Sequence, residues 1–299
     1  MNYALRKALQ QPDRVLRRLG IQVRTAAAWR RMYDALREPK RVGAVVVDDA
    51  AVAEIRKRVT ADGIAVERRS VEPARYRAWL ERAGYDRYPL YMDGGREPGF
   101  HQKGLEHFLG AELLGLCPGD VGIDVASQHS PAPEIYERLC GSTMYRQDLA
   151  YRPGLDGRRI GGSAAKLPLP DGFATAMVLH NAFEHFEGEA DVEFVREAAR
   201  VLRPGGRLCI VPLFLYTRYA IQTDPAALTG AWPWFDADAE LWCARGWQDR
   251  HGRFYDPPHL RSRLLEAAEA FEFRLIEFVD AAAVDPSCYL RFAAVFTRR

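Results

Sequence analysis

Residues 173–213 constrain the fold more than any other stretch of the chain. A short apolar run from Ala174 to Leu179 reads as a buried strand. Polar groups follow at once, His180, Asn181, Glu184 and His185, where a parallel strand delivers side chains to a site. A helix comes next, with Val192, Val195, Ala199 and Leu202 on one stripe. Pro204-Gly205-Gly206 stops it, because proline lacks an amide donor and glycine tolerates positive φ. A second apolar run, Leu208 to Leu213, reads as the next strand.

The rest of the chain repeats this alternation. Val121–Val125, Thr143–Asp148 and a run over 158–163 read as three earlier strands. Helices are expected over 100–116 and 257–270, and two late strands over 273–279 and 288–297 form an antiparallel pair at the sheet edge. Strands alternating with helices imply a mostly parallel sheet with helices on both faces. On the 100–116 helix, Lys103, Glu106 and His107 lie off the leucine row and read as solvated. Ahead of it, residues 1–98 read as a separate N-terminal region: one or two helices over 1–38, then a small α/β unit with strands at Arg41–Asp48 and from Gly63. Residues 99–299 form the main domain, carrying an aromatic-rich insert at about 213–258.

Composition excludes several classes. At 299 residues, 48% hydrophobic and 27% charged, the chain suits a globular domain with a sizeable core. No apolar run approaches the ~20 residues of a membrane span, and no apolar segment follows Arg6 and Lys7 as in a secretory leader. Five cysteines without CxxC spacing point to a reducing, cytoplasmic setting. Charge is uneven. Residues 1–40 hold ten basic groups against three acidic, a net +7, which leaves −5 for the remainder. Such a leader suits peripheral contact with an anionic membrane face, or a solvated helix packed on the main domain. The mildly acidic main domain and the lack of a recognition motif argue against nucleic acid.

The stretch Leu167-Pro-Leu-Pro-Asp-Gly-Phe173, the strand after it, the Glu184-His185 pair and Arg200-Val-Leu-Arg-Pro-Gly-Gly206 stand at a characteristic spacing. Together they resemble the class I S-adenosylmethionine-dependent methyltransferases, over about residues 100–297. The resemblance implies a Rossmann-like seven-stranded, mostly parallel α/β sheet with S-adenosylmethionine at the strand tips. It implies cofactor contacts from Asp124, Ala126, Gln128 and Ser130 in the turn after the first strand. Asp148 stands where the family holds ribose hydroxyls, Ser163 and Ala164 where it contacts adenine, and Asn181 beside the methyl group. The turn reads Asp124-Val-Ala-Ser-Gln-His-Ser-Pro131 where the family has Asp-x-Gly-x-Gly-x-Gly, so all three glycines are replaced. Ala174 also replaces a usual Asp.

Methyl transfer often needs a base for the acceptor's proton, and histidine titrates near neutral pH. His180 and His185 are the candidate bases, His180 the first of the two, with His129 a third. Neither His180 with His185 nor His251 with His259 has the i, i+4 spacing of a helical zinc site, so no metal is expected. In the insert, Tyr216, Tyr219, Trp232 and Trp234 are candidate acceptor-binding rings, suited to stacking on a sugar or another flat molecule. The expected activity is methylation of a small molecule or a glycan precursor. The alternative is a catalytically silent homologue that binds a ligand or partner. A nicotinamide dehydrogenase is disfavoured because no GxGxxG follows a strand.

Overall fold

The computed structural model describes residues 22–228 and 233–299. The start of the basic leader and Trp232 fall outside them. In chain order, α1 (Gln22–Ala35) precedes β1 (Lys40–Val42), α2 (Asp49–Ala61), β2 (Val66–Arg69), α3 (Pro73–Ala83) and α4 (Phe100–Leu114). The central run is β3 (Val121–Val125), α5 (Ala132–Cys140), β4 (Thr143–Asp148), β5 (Gly154–Asp156), β6 (Arg159–Gly161), β7 (Ala174–His180), α6 (Ala190–Val201) and β8 (Leu202–Val211). Then come β9 (Ala220–Thr223), β10 (Glu240–Cys243), β11 (Gly252–Phe254), β12 (Phe271–Phe278) and β13 (Phe292–Arg298).

Among the described residues the strands make two sheets. The larger runs β2-β12-β13-β8-β7-β3-β4-β6-β5. Its centre, β8-β7-β3-β4-β6, is parallel, and β13 and the β5 hairpin strand are antiparallel to their neighbours. The order reverses between β3 and β7, the switch point where open α/β sheets bind ligands. Seven of the nine strands are those expected in this sheet; β2, which overlaps the strand expected from Gly63 in the N-terminal unit, and β5 extend the two ends. The β12–β13 pair is antiparallel as expected but does not form the edge, because β2 pairs with β12 in parallel.

The smaller sheet, β1-β10-β9-β11, joins the insert to the N-terminal part of the chain. Lys40 pairs with Leu241 and Val42 with Cys243. The break at 98 is thus no seam in the sheets: one N-terminal strand enters each of them. The strand expected over Arg41–Asp48 is confined to Lys40–Val42, and the apolar run beyond it lies on a cavity wall instead.

β7 is buried along its length except at His180, as a central parallel strand flanked on both faces must be. Its register with β8 jumps from Ala174↔Leu202 to Ala176↔Arg207, so residues 203–206 bulge out. The Pro204-Gly205-Gly206 turn therefore sits inside the start of β8. The helix expected over 257–270 is three successive helical turns, Pro257–His259, Leu260–Leu265 and Glu266–Ala268. No helix among the described residues is long and apolar enough to cross a membrane.

Candidate active site

The turn after β3 keeps a glycine-like path without glycine. Ala126 has φ 54° and Gln128 φ 41°, left-handed values that cost an L-residue roughly 1–2 kcal/mol each. Hydrogen bonds hold it there. The Ala126 amide donates to Gln147 Oε1 (3.1 Å), Ser127 N to the Gln147 carbonyl (2.9 Å) and Ser130 N to the Ser127 carbonyl (2.7 Å). Gln128 N donates to Asp148 Oδ2 (3.0 Å), and Tyr151 Oη closes over the turn by donating to the Gln128 carbonyl (2.7 Å).

Behind the turn runs a buried polar chain. Asp124 accepts from Ser127 Oγ at 2.7 Å and meets His180 Nδ1 at 3.0 Å. His180 Nε2 lies 2.8 Å from Tyr136 Oη, which donates to the His107 carbonyl at 2.6 Å. The His107 ring continues the chain to Tyr85 Oη at 2.7 Å. Burial, then the nearby His180 and Lys103, push the His107 pKa well below its ordinary value. Helix α4 approaches this chain through bare backbone. A Cβ on Gly110 would sit 2.7 Å from His180 Nε2 and 2.9 Å from Tyr136 Oη.

The expectation of a solvated Lys103, Glu106 and His107 is corrected here. Glu106 and His107 are buried, and Glu106 accepts from Gln102 Nε2 (2.7 Å) and pairs with Lys103 (3.2 Å). Helix α4 is covered on nearly all sides, so its polar residues face the interior. Gly110, a glycine inside a strong helix, is the sequence signal of that close approach.

Two cavities open at the strand tips. One, of about 1000 Å³, lies against the β3 turn and is lined by Arg87, Tyr91, Asp124, Gln128, Arg146 and His180 among others. The other, of about 670 Å³, lies beyond β7 and β8, with Asn181, Glu184, His185, Phe214, Trp247 and Tyr289 on its wall. Consecutive residues at the β7 tip thus face different cavities. Asn181 is held at φ 48°, donates its amide to the Val211 carbonyl (3.1 Å) and accepts from Tyr289 Oη (2.9 Å).

On the second wall, His185 Nδ1 lies 2.5 Å from the His251 carbonyl and must donate to it, which leaves Nε2 as the lone-pair nitrogen, 3.4 Å from Glu184 Oε1. His251 Nδ1 in turn donates to the Glu184 carbonyl at 3.0 Å. Glu184 Oε2 and His251 Nε2 are buried and have no hydrogen-bond partner. Burial raises the Glu184 pKa, against the neighbouring His185, which lowers it. Burial, with Arg253 next in weight, pushes His251 down to about 3.

The other candidates fall elsewhere. Ser163 Oγ caps its own turn, accepting from Ala165 N (3.2 Å), and neither Ser163 nor the buried Ala164 lines either cavity. His129 and Ser130 line the larger one, with Ala126. Tyr216 lines neither. Tyr219 is buried, stacked on His259 at 3.7 Å with its hydroxyl on Asp236, and Trp234 is 62% exposed. The rings on the wall of the smaller cavity, Phe214, Trp247, Phe254, Tyr289 and Phe292, are a different set. Tyr289 and Phe292 come from the end of the chain, where sequence gave no hint of this cavity. Among the described residues no three His, Cys, Asp or Glu side chains come together as a metal site.

The residues present fit S-adenosylmethionine. The turn supplies the path the missing glycines would allow, and Asp148 has accepted only two amides, from Gln128 and Ala150. A carboxylate has about four lone-pair sites, so room remains for hydroxyls. Arg87 on the cavity wall can meet a carboxylate.

Residues 93–210 match the family model described as a methyltransferase domain. No curated protein sequence matches the chain. Among solved structures, it is similar to the Burkholderia thailandensis 1,6-didemethyltoxoflavin-N1-methyltransferase with bound 1,6-didemethyltoxoflavin and S-adenosylhomocysteine. The identity there is 15% and the TM-score 0.45, over 77% of this chain and 92% of that one. It is also similar to a putative methyltransferase complexed with the Trm112 activator of Haloferax volcanii, at 14% identity and TM-score 0.44, over 73% of this chain and 96% of that one. The likeness to a methyltransferase domain thus covers the chain from just before α4 into β8, and includes the turn after β3 and the β7 tip.

Proposed function

We propose that this chain methylates a small molecule held in the 670 Å³ cavity beyond Asn181, with the cofactor in the larger cavity on the other side of the β7 tip. The observation that carries this is the placing of His180 on one cavity and Asn181 on the other. A methyl donor and an acceptor lodged there approach each other across one strand end, which is the alignment in-line transfer needs. When bound, S-adenosylmethionine supplies an electrophilic methyl group on a sulfonium sulfur.

In this reading Asp148 accepts from the ribose hydroxyls, the turn 126–130 lies along the cofactor, and Arg87 faces its carboxylate. Asp124 and His180 act as a brace. Both His180 ring nitrogens are already engaged, which favours His185 over His180 as the group handling the acceptor's proton. Between the acceptors considered, the aromatic and aliphatic walls favour a flat apolar molecule over a glycan precursor. The five free cysteines favour a reducing compartment.

The silent-homologue reading draws on the turn, whose amides at 126, 127, 128 and 130 are spent on internal bonds. Calorimetry with S-adenosylmethionine and S-adenosylhomocysteine decides between the two. Binding of both below millimolar concentration is expected. Failure of both at millimolar concentration removes the enzyme reading.

A further inference from the structure

One buried acceptor atom at the acceptor-side cavity lacks a hydrogen-bond partner. Glu184 lies on its wall, 5% exposed, with Oε2 buried and unpartnered. The other charged side chains on that wall are Asp249, Arg291 and the partnered His185. Arg291 is drawn outward to Asp49 at 3.1 Å. Besides the polar Asn181, Gln222 and Ser287, the wall is aromatic and aliphatic: Phe214 stacks near Tyr289 (centroids 6.1 Å apart, planes at 27°) and meets Phe254 edge-on at 5.3 Å. A ligand that satisfies this wall brings a ring to the aromatic side and a hydrogen-bond donor to the carboxyl.

We propose that the acceptor is a flat, largely apolar ring carrying an N–H or O–H group, and that the Glu184–His185 pair receives the proton this group gives up. The proposal rests on the function proposed above and names its acceptor class. His185 Nε2 and Glu184 Oε1 would face each other as two lone pairs at 3.4 Å, so the pair holds one proton between them. In the reaction the acceptor's lone pair forms the bond to the methyl carbon while the sulfur–carbon pair stays on sulfur. The acceptor's proton passes to Glu184 Oε2, and the proton held at Oε1 moves to His185 Nε2. The His185 side chain, 35% exposed, returns it to water. Burial supports this role, because a carboxyl raised above its ordinary range takes a proton more readily. Lys103 and Glu106, the other charges acting on Glu184, are paired with each other.

The test needs no cofactor. Binding of 2-naphthylamine, 2-naphthol, naphthalene and 2-naphthoate to the full chain is measured by calorimetry, in the wild type and in Glu184→Met. The amine and the phenol are expected to bind about tenfold more tightly than naphthalene, the worth of one well-made hydrogen bond, with the carboxylate weakest. In Glu184→Met that preference should vanish while naphthalene affinity holds. Should Glu184→Met fail to fold, Glu184→Gln and infrared difference spectra serve: a carboxylic C=O band that shifts on binding naphthol and is missing from the variant supports the proposal. His185→Asn, which can keep the bond to the His251 carbonyl but lacks Nε2, should move that band without abolishing it. Equal affinity for naphthoate and naphthylamine, or a band unmoved by naphthol, overturns the proposal. A chain that binds S-adenosylhomocysteine yet shows no donor preference loses only this inference. One that binds the amine but no cofactor loses the function and the proton transfer with it, and keeps only the ring-and-donor site.

Discussion

The cavities on either side of the β7 tip are built from opposite states of the same kind of chemistry. At the larger cavity, Asp124, Ser127, His180, Tyr136 and His107 satisfy one another in a continuous buried chain. At the smaller one, proposed for the acceptor, Glu184 Oε2 and the nearby His251 Nε2 are buried without partners. A fully satisfied network fixes one geometry, whereas an unmet polar atom in a low-dielectric site is costly until something answers it. The first cavity is therefore shaped before any ligand arrives, and the second leaves a demand for the ligand to meet.

The largest effect should come from disturbing the satisfied side. Gly110→Ala places a methyl group 2.7 Å from His180 Nε2 and 2.9 Å from Tyr136 Oη. Overpacking of this kind costs ~1–3 kcal/mol, which outweighs the roughly 0.5–1 kcal/mol that alanine gains over glycine within a helix. Urea unfolding should show the net loss, together with weaker S-adenosylhomocysteine binding. A more stable Gly110→Ala would mean that the helix does not press on the network.

Asp148→Ala comes next. It removes the carboxylate that holds the Gln128 amide and is assigned to the ribose, so cofactor affinity should fall by ~1–3 kcal/mol, the penalty for an unmet polar partner. Calorimetry reads this directly, and wild-type affinity would take Asp148 out of the site.

The contrast between the two sides also marks how far the sequence could be read. β3 and β4 stand at the residues expected, and β7 runs one residue beyond, because continuous apolar or β-branched runs between turn residues are a local signal. Asp124, Gln128 and His180 could be placed from the same signal, since each sits at a strand tip or in the turn that follows one. The acceptor cavity could not. Its wall combines Val45 and Val47 with Phe214, Trp247 and Tyr289, residues up to about 240 positions apart that only the sheets bring together. The same holds for β1, whose partner β10 lies some 200 residues on. Tyr219 and Trp234 looked like acceptor rings because exposure cannot be read from residue type: one is committed to His259 and Asp236, the other faces solvent.

Stability against pH should separate the sides further. The folded pKa of His107 lies well below its ordinary 6.5. As pH falls through 6.5 the unfolded chain binds that proton and the folded chain does not, so stability is full above this pH and declines below it. One proton is worth about 1.4 kcal/mol per pH unit. His251, at about 3, adds the same decline on the acceptor side. Glu184 opposes it there. Its pKa is raised above 4.5, so the folded carboxyl keeps a proton the unfolded one has lost, and its contribution is present at low pH and lost as pH rises through the raised value. His107→Gln should therefore flatten the acid decline between pH 6.5 and 4.5, and Glu184→Gln should steepen it. Equal slopes in both variants would erase the distinction between the cavities.

The smallest effect is expected where the two cavities touch. Tyr289 donates to Asn181 Oδ1 at 2.9 Å, and Asn181 holds its left-handed φ of 48° between the two sites. Tyr289→Phe removes that bond but keeps the ring on the acceptor wall. Because Tyr289 is 48% exposed, water can replace the lost donor, so stability should fall by no more than ~0.5–1 kcal/mol. The informative readout is selective: acceptor-side ligands should weaken slightly while S-adenosylhomocysteine affinity holds, since the Asn181 backbone is still tied to the Val211 carbonyl. Loss of cofactor affinity in this variant would show that the Asn181 side chain serves the satisfied side as well, and that the two cavities share a polar group instead of meeting at one.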